Sequence, residues 1–180
     1  MSSILNSRIA RRRFCLALAA WPFAGWASVE HDSRVAGMRR WGSGEFRRFG
    51  FLIYEATLWA AGSDPLQPPQ ALQLTYRRNI SGRSITDASI TEMRNLGVAD
   101  TARLMQWGEQ MGRLFPDVRS GDELMGVHLP EGARFYHNDR LLGVIEDPVF
   151  ARSFFAIWLD PRSSAPELRS ALLQRAATTR

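Results

Sequence analysis

Lysine is absent from the 180 residues, and cysteine occurs only once, at Cys15. A single cysteine excludes an internal disulfide framework and any zinc site built from several cysteines. The three histidines, His31, His128 and His137, lie far apart and none has a partner at metal-ligand spacing. No apolar run reaches the roughly 18 residues of a membrane span. We therefore expect a globular protein without a metal, a cofactor or an integral membrane segment.

Charge is unevenly distributed along the chain. The 23 arginines face 18 acidic residues, which gives a formal net charge of +5 and a sequence pI near 10.5. An excess of basic residues is typical of proteins that bind nucleic acids or membranes. Four of the arginines lie within residues 1–27, where no acidic residue occurs, so 19 arginines remain against 18 acids in the rest. The basic excess therefore belongs to the N-terminal segment.

Residues 1–27 have the features of a cleaved export signal. Basic residues precede an apolar run over Phe14–Ala24, and small residues follow it up to Ala27. The stretch Arg11–Leu16 also fits the twin-arginine pattern of the bacterial pathway that exports folded proteins. A Sec-type signal and a first helix retained in the mature fold are the alternatives. We expect cleavage near Ala27 and a periplasmic or exported domain over residues 28–180.

The first half of this domain is predicted to be strands. Gly42-Ser43-Gly44 predicts a hairpin turn, and Glu45–Trp59 predicts one long strand with alternating faces. A proline-rich loop over 62–69 leads to another strand over Ala71–Ile80. The covered face of the long strand is expected to carry its even positions, Phe46, Arg48, Gly50, Leu52, Tyr54, Ala56 and Leu58.

The second half mixes helices with short strands. Helices are predicted over Thr86–Leu96 and over the stretch from the capping Asp100 to Phe115. A third helix is expected to begin at Asp147-Pro148, and a capping box at Ser164–Glu167 predicts a fourth. Three short strands lie between the second and third helices, over Glu123–Leu129, Ala133–His137 and Arg140–Ile145. This order predicts an α+β domain, an antiparallel sheet with helices on one face.

Three arginine doublets, Arg39-Arg40, Arg47-Arg48 and Arg77-Arg78, fall on the predicted strands. Neighbouring side chains on a strand point to opposite faces, so the doublets do not form one basic stripe and no nucleic-acid partner is expected. The alternation directs Arg48 and Arg78 to the covered side, beside Tyr54 and Tyr76. A buried guanidinium needs a partner. One interpretation is that both arginines reach the sheet edge or pair with acids such as Glu92 and Glu109. The other is a cleft where arginine and tyrosine hold the polar head of an apolar ligand.

Four segments resemble the chalcone isomerase-like proteins, in particular their exported bacterial branch. They are Gly44–Trp59, Leu74–Ile80, Phe115–Asp122 and Phe154–Asp160, and the resemblance extends over Val35–Leu173. It implies an open-faced β-sandwich, in which a large antiparallel sheet and a helical layer enclose a ligand cleft. Fatty-acid-binding relatives in this family hold the carboxylate with an arginine and a tyrosine.

The resemblance to the plant enzymes of the family is incomplete at the residues that orient the chalcone. Their arginine falls close to Arg39 or Arg40, their threonine becomes Gly50, and the first helix has no tyrosine. Their asparagine is replaced by Met93 or a neighbour. The resemblance therefore implies a non-catalytic protein that binds a small apolar or amphipathic molecule, such as a fatty acid. We also expect the protein to be a monomer. The ligand-binding residues are expected to be Arg39, Arg40, Arg48, Gly50, Tyr54, Tyr76 and Arg78, with Leu52, Leu74 and Trp107 contacting the ligand body.

Two other functions are compatible with the same residues. An isomerase acting as an intramolecular lyase on a chalcone-like or enone substrate would use Arg40 as electrophile and Tyr54 or Tyr76 as proton donor. A periplasmic interaction module would use exposed aromatic residues such as Trp41 or Trp59.

Overall fold

The computed structural model describes residues 33–174. The predicted export signal, its cleavage near Ala27, and His31 lie outside these residues. A short 3-10 helix, Ser33–Val35, precedes the first strand. The strands are β1 (Arg39–Arg48), β2 (Phe51–Ala60), β3 (Gln70–Tyr76), β4 (Glu123–Leu129), β5 (Gly132–His137) and β6 (Arg140–Ile145), and the helices are α1 (Gly82–Asn95), α2 (Thr101–Leu114), α3 (Pro148–Leu159) and α4 (Pro166–Leu173).

The six strands form one antiparallel sheet in which β1 to β6 follow the order of the chain. Helix α3 packs against β4 and β5, and α4 packs against β1 and β2. Helix α1 contacts α2 and α3, and α2 also reaches β6. The predicted α+β class and the open-faced arrangement of sheet and helices are confirmed.

Helix α3 is the centre of the helical layer. Its N-cap is Asp147, whose carboxylate accepts hydrogen bonds from the backbone N–H groups of Val149 and Phe150, with proline at the first helical position. Apolar residues almost all round the helix indicate deep burial, and seven of its residues are buried. The ring of Phe154 meets that of Phe135 on β5 edge-on at 5.2 Å between centroids. Both the start and the burial of this helix agree with the prediction.

Two helix boundaries differ from the prediction. Helix α1 begins at Gly82 instead of Thr86, because Ser81 caps it by accepting a hydrogen bond from the backbone N–H of Ser84. The capping box predicted at Ser164–Glu167 is wrong, since the N-cap position is Ala165 and no side chain bonds to the backbone there. Proline at its start already fixes the first backbone angle, and it has no backbone N–H that would need an acceptor.

The first hairpin turn lies elsewhere than predicted. Gly42-Ser43-Gly44 is part of β1, and the turn is Phe49-Gly50, whose φ angles are 51° and 80°. Two-residue hairpin turns require such positive φ values. The glycines of β1 serve packing instead: a Cβ at Gly42 would overlap backbone carbonyl oxygens of α4, and one at Gly44 would lie 2.7 Å from the Cβ of Ala171. The long strand predicted over Glu45–Trp59 is therefore two strands with a turn between them.

A β-bulge near this turn changes which residues face the helices. Phe46 pairs with Tyr54, but the next residue of β1 pairs with Leu52, so Ile53 is the extra residue of β2. A bulge shifts the alternation by one position. Contrary to the prediction, Leu52 therefore does not share the face of Tyr54, and Gly50 is an exposed turn residue.

Candidate functional site

A cleft of about 310 Å³ opens between one corner of the sheet and the helices α1 and α3. Strands β1, β2 and β3 supply its floor, and the loop between α3 and α4 closes one side. The lining is largely apolar, as is usual for small-molecule sites. The residues that line it are Phe46, Arg48, Ile53, Tyr54, Leu74, Tyr76, Ile80, Ser84, Ile85, Ala88, Ser89, Glu92, Leu124, Phe154, Ile157, Trp158, Ser164 and Ala165.

Two tyrosines form the aromatic centre of the floor. Tyr54 and Tyr76 are cross-strand partners on β2 and β3, with ring centroids 5.8 Å apart in an edge-on arrangement. Phe46 stacks on Tyr54 at 4.9 Å. On the helical side, the indole Nε1 of Trp158 donates a hydrogen bond of 3.0 Å to the Tyr54 hydroxyl. Strand pairing and α3 therefore hold the Tyr54 ring from both sides.

Both tyrosine hydroxyls keep their protons at neutral pH. Burial raises the pKa of Tyr54, and the charge of Glu92 raises it further, while the hydrogen bond from Trp158 opposes these two effects. Burial also raises the pKa of Tyr76, with an additional contribution from Tyr54. Neither hydroxyl donates to an acceptor within residues 33–174. The floor of the cleft thus presents two O–H donors that a ligand can use.

One positive and one negative side chain line the cleft. Arg48 is exposed at the mouth, and its guanidinium lies 5.5 Å from the centre of the Phe49 ring. Glu92 is half-buried on α1, close enough to Tyr54 to influence its pKa. Within residues 33–174 neither charged group forms an ion pair or a hydrogen bond. The cleft therefore combines an apolar body with polar groups of both signs.

The structure brings together three of the residues predicted from the sequence. Arg48, Tyr54 and Tyr76 all line the cleft, and so does Leu74, which was expected to contact the ligand body. The strand alternation explains this for Arg48, because it lies two residues from Phe46 on the same face of β1. Arg48 is nevertheless exposed, since the helices do not extend over this end of the sheet.

Four predicted binding residues do not line the cleft. Arg39 donates to the carbonyl oxygen of Gly62, and Arg40 donates to Ser43 Oγ at 2.7 Å. Gly50 is in the hairpin turn. Arg78 lies beyond the end of β3, because that strand stops at Tyr76 instead of Ile80, and its guanidinium stacks on Phe51 at 4.8 Å from the ring centre.

Three further residues have other roles than predicted. Trp107 is buried in the core, where its Nε1 donates to Asp147 Oδ2 at 2.9 Å, and so it does not reach the cleft. Trp41 was expected to be exposed, but it is the bulged residue of β1 and is only 7% exposed against α4. Trp59 is half-buried on the other face of the sheet, where it donates to Gln73 Oε1.

Helix α1 contributes side chains to the cleft that the sequence does not predict as site residues. Ile85, Ala88, Ser89 and Glu92 recur at helical spacing and form the stripe of α1 that lines the cleft. The late helix start predicted at Thr86 removed the first residue of this stripe. With the start placed at the Ser81 cap, the same spacing would have indicated Glu92 as a residue of the site and not only as an ion-pair partner.

A metal-binding cluster and a membrane-spanning helix are both absent from the part of the chain that the structure describes. Residues 33–174 contain no cluster of three or more His, Cys, Asp or Glu side chains that could hold a metal ion. Among the same residues, no helix has the length and apolar character to cross a membrane.

Comparison with known proteins shows both a sequence family and a related fold. A sequence model of chalcone isomerase-like proteins matches residues 47–174. An uncharacterized protein of Haemophilus influenzae is 27% identical over 157 residues, which are 86% of this chain and 71% of that protein. The crystal structure of a fatty-acid binding protein of Arabidopsis thaliana matches with a TM-score of 0.57 at 12% identity, covering 76% of this chain and 87% of the plant chain. At that identity the likeness shows the fold alone.

Proposed function

The chain belongs to the chalcone isomerase-like family, and from this premise we propose that it binds a small amphipathic carboxylate in the cleft without transforming it. The observation that carries the proposal is the apolar cleft with two hydroxyl donors on its floor and, at its mouth, an arginine that forms no ion pair or hydrogen bond within residues 33–174. The fatty-acid binding protein of Arabidopsis thaliana, which shares the fold, supports a ligand of this class.

The volume of the cleft limits the size of the ligand. Its 310 Å³ hold about ten water-sized groups at roughly 30 Å³ each. A medium-chain fatty acid such as decanoate fits this space, whereas the tail of a long-chain acid would extend through the open mouth. We therefore expect affinity to rise from hexanoate to decanoate and to gain little more with palmitate.

The head group is proposed to lie between Arg48 and the tyrosines. A guanidinium without an ion-pair partner is a natural counter-ion for a carboxylate, and the hydroxyls of Tyr54 and Tyr76 can donate to the same oxygens. Because Arg48 is exposed, water screens its charge. Replacing Arg48 by Gln should weaken decanoate binding by roughly tenfold, within the range of a charged hydrogen bond.

Glu92 makes the charge of the ligand testable. A carboxylate ligand is repelled by the Glu92 side chain, so Glu92→Gln should strengthen decanoate binding. A ligand whose head group donates a hydrogen bond, such as decanol, would instead lose the Glu92 carboxylate as an acceptor. Decanol should therefore bind more weakly to the same variant. Weaker binding of decanoate together with unchanged binding of decanol would reject the proposed head-group position.

Calorimetric titration of the full chain with hexanoate, decanoate, palmitate and decanol is the direct experiment. Ala88→Trp would fill the cleft and should abolish binding, whereas Ala102→Trp places the same side chain on the exposed surface of α2 and serves as the matched control. Equal decanoate binding by both variants would mean that the acid binds outside the cleft, and the proposal would fail.

Catalysis is the less favoured interpretation of the same cleft. Arg40, the electrophile of the isomerase alternative, is hydrogen-bonded to Ser43 outside the cleft. The raised pKa values of Tyr54 and Tyr76 make both poor proton donors near neutrality, where the best general acids have a matching pKa. Turnover of a chalcone above its rate in solution, lost in Tyr54→Phe and retained in Arg40→Ala, would support an enzyme and contradict the non-catalytic proposal.

We also propose that residues 1–27 direct export to the periplasm and that the mature protein acts there as a monomer. The support is the order of basic residues, apolar run and small residues, which ends at Ala27 and places the expected cut before Ser28. Cell fractionation followed by N-terminal sequencing tests this cut. Replacing the three consecutive arginines at 11–13 by Lys should retain the protein inside the cell if the twin-arginine route is used. Export of that variant at the normal level would favour a Sec-type signal.

A further inference from the structure

The turn between β1 and β2 exposes two aromatic side chains to solvent. Phe49 is 88% exposed and Phe51 is 58% exposed. Phe49 also has a φ of 51°, in the left-handed region that Gly and Asn adopt far more readily than bulky residues. The fold therefore carries a strained, exposed phenylalanine at a position where Asn would give the usual Asn-Gly hairpin turn.

Four arginines lie at this end of the sheet, and within residues 33–174 two of them form ion pairs and two do not. Arg47 is paired with Glu45 and Arg77 with Glu55, both at 2.9 Å. Arg48 and Arg78 form no ion pair or hydrogen bond within residues 33–174, and each lies over one of the rings, at 5.5 Å from Phe49 and 4.8 Å from Phe51.

Strand pairing joins these four side chains into one surface. Arg48 and Phe51 are cross-strand partners, Phe49 follows Arg48, and Arg78 stacks on Phe51. We call Arg48, Phe49, Phe51 and Arg78 the hairpin tip. Because Arg48 also lines the mouth of the cleft, the hairpin tip lies directly beside the entrance.

We propose that the hairpin tip docks on a lipid bilayer that carries anionic head groups. Aromatic rings partition into the interface between head groups and acyl chains, and nearby arginines attract anionic lipid. A two-residue turn is convex, so its rings can enter a soft bilayer without a shaped pocket to receive them. A stable protein interface needs about twenty or more residues on each side, many more than the four side chains of the tip.

This inference does not depend on the proposed ligand, because docking is measured with the protein alone. If both proposals hold, docking places the mouth of the cleft at the membrane surface. Failure of decanoate binding would leave membrane docking untouched, and failure of docking would leave the cleft as a binding site for a ligand taken from solution.

The experiment is co-sedimentation of the full chain with vesicles of phosphatidylcholine alone or of equimolar phosphatidylcholine and phosphatidylglycerol. The predicted export signal is apolar and basic and can itself bind lipid, so every comparison uses chains that share it. Phe49→Asn is the principal variant, since it removes the exposed ring and leaves a favourable hairpin turn. Met105→Asn, on the exposed surface of α2, is the matched control.

We expect Phe49→Asn to lower partition into phosphatidylglycerol vesicles by about tenfold or more, the loss expected when a phenylalanine no longer enters the interface. Met105→Asn should bind like the original chain. Arg78→Gln should lower partition by roughly fivefold at low salt and less at high salt, while Arg113→Gln should have the smaller effect of a distant charge. Thermal melts of all four variants identify any that are not folded.

A polarity-sensitive dye locates the contact directly. In a Cys15→Ser background, the dye is attached at Phe49→Cys or at Glu131→Cys, which lies in the turn between β4 and β5. Vesicles should shift the emission of the dye at position 49 to the blue and leave the dye at position 131 unchanged. Equal binding of Phe49→Asn and Met105→Asn, or equal dye shifts at the two positions, would show that another part of the chain binds the lipid and would overturn the proposal.

Discussion

Two regions of the helical face use aromatic residues in opposite ways. Where α3 crosses β4 and β5, the aromatic residues are phenylalanines that fill the space between sheet and helix. Phe155 is 1% exposed, and its ring stacks on His128 at 4.9 Å and meets Phe154 edge-on at 5.6 Å. At the β1–β3 corner, Phe46 and Phe154 also line the space between sheet and helix, but three further aromatic residues there carry polar atoms, and the space is open. These three are Tyr54, Tyr76 and Trp158.

The difference teaches what keeps the cleft open. A phenylalanine ring is most stable when other side chains cover it completely, because its burial has no polar cost. A tyrosine hydroxyl that is buried without a partner loses hydrogen bonds to water, so a corner built from tyrosines is less favourably closed by apolar side chains. The helical layer is therefore a packed core at one end and borders an open cleft at the other.

The largest contrast should appear when a ring is removed from each region. Phe155→Ala leaves a cavity in the packed region and should lower the free energy of unfolding by about 3–5 kcal/mol. Phe46→Ala removes a half-buried ring at the cleft, where solvent already enters, and should cost clearly less. Urea unfolding monitored by circular dichroism compares the two variants. Similar losses would mean that the corner is packed as tightly as the core, contrary to the comparison.

Two glycines, Gly42 on β1 and Gly112 on α2, offer a second test of close packing against open space. Gly42 lies under α4, where an added methyl would overlap backbone oxygens of the helix, so Gly42→Ala should lower the free energy of unfolding by about 1–3 kcal/mol. Gly112 on α2 has open space around it, and Gly112→Ala should be neutral or stabilise the helix by up to about 1 kcal/mol. If Gly42→Ala were tolerated as well as Gly112→Ala, the close contact between β1 and α4 would not exist in solution.

Local signals predicted most of the packed region. The Asp147-Pro148 start of α3, the Asp100 cap of α2 and the bounds of β4 and β6 were all recognisable, because each depends on residues close in sequence. The corner was predicted less well. The bulge at Ile53 and the turn at Phe49-Gly50 depend on how β1 pairs with β2, and one residue of register moves every following side chain to the other face.

The dependence on contacts between residues distant in sequence also explains which site residues could be predicted. Tyr54 and Tyr76 lie on regular strand positions and follow the alternation. The sequence neighbours of Gly42 predict a turn, and only the approach of α4 from the other end of the chain shows why glycine is needed there. The alternation predicts Arg78 on the covered face, because nothing in the sequence marks the end of β3 at Tyr76.

Mild acid should destabilise the packed region through His128, whose ring stacks on Phe155. Burial lowers the pKa of His128, and the charge of Arg152 lowers it further, so the unfolded chain binds a proton at this residue more readily than the folded chain. The contribution of His128 to the free energy of unfolding should therefore be complete above the ordinary histidine pKa of about 6.5. The free energy of unfolding should fall as the pH drops below that value. Unfolding in urea between pH 7.5 and 5.5 measures this slope.

A matched variant separates His128 from the other titrating groups. The carboxylates Asp122, Asp147 and Asp160 have lowered pKa values, so their protonation weakens the fold only at more acidic pH. His128→Gln should therefore reduce the loss of stability between pH 7.5 and 5.5, whatever its effect at neutral pH. An unchanged slope would show that the enclosed histidine does not titrate as its burial implies.

The smallest expected effect on stability concerns the hairpin tip, and its sign is informative. Phe49 is held at a positive φ, a conformation that costs a bulky residue on the order of 1 kcal/mol, while its ring makes little contact with the folded domain. Phe49→Asn should therefore raise the free energy of unfolding, by up to about 1 kcal/mol, whereas Phe51→Asn relieves no strain and should not. Differential scanning calorimetry of the two variants distinguishes these outcomes. A higher free energy of unfolding for the variant at position 49 alone would mean that the fold is more stable without this phenylalanine, as expected for a side chain that serves an external contact. A lower free energy of unfolding for that variant would show that the ring supports the turn.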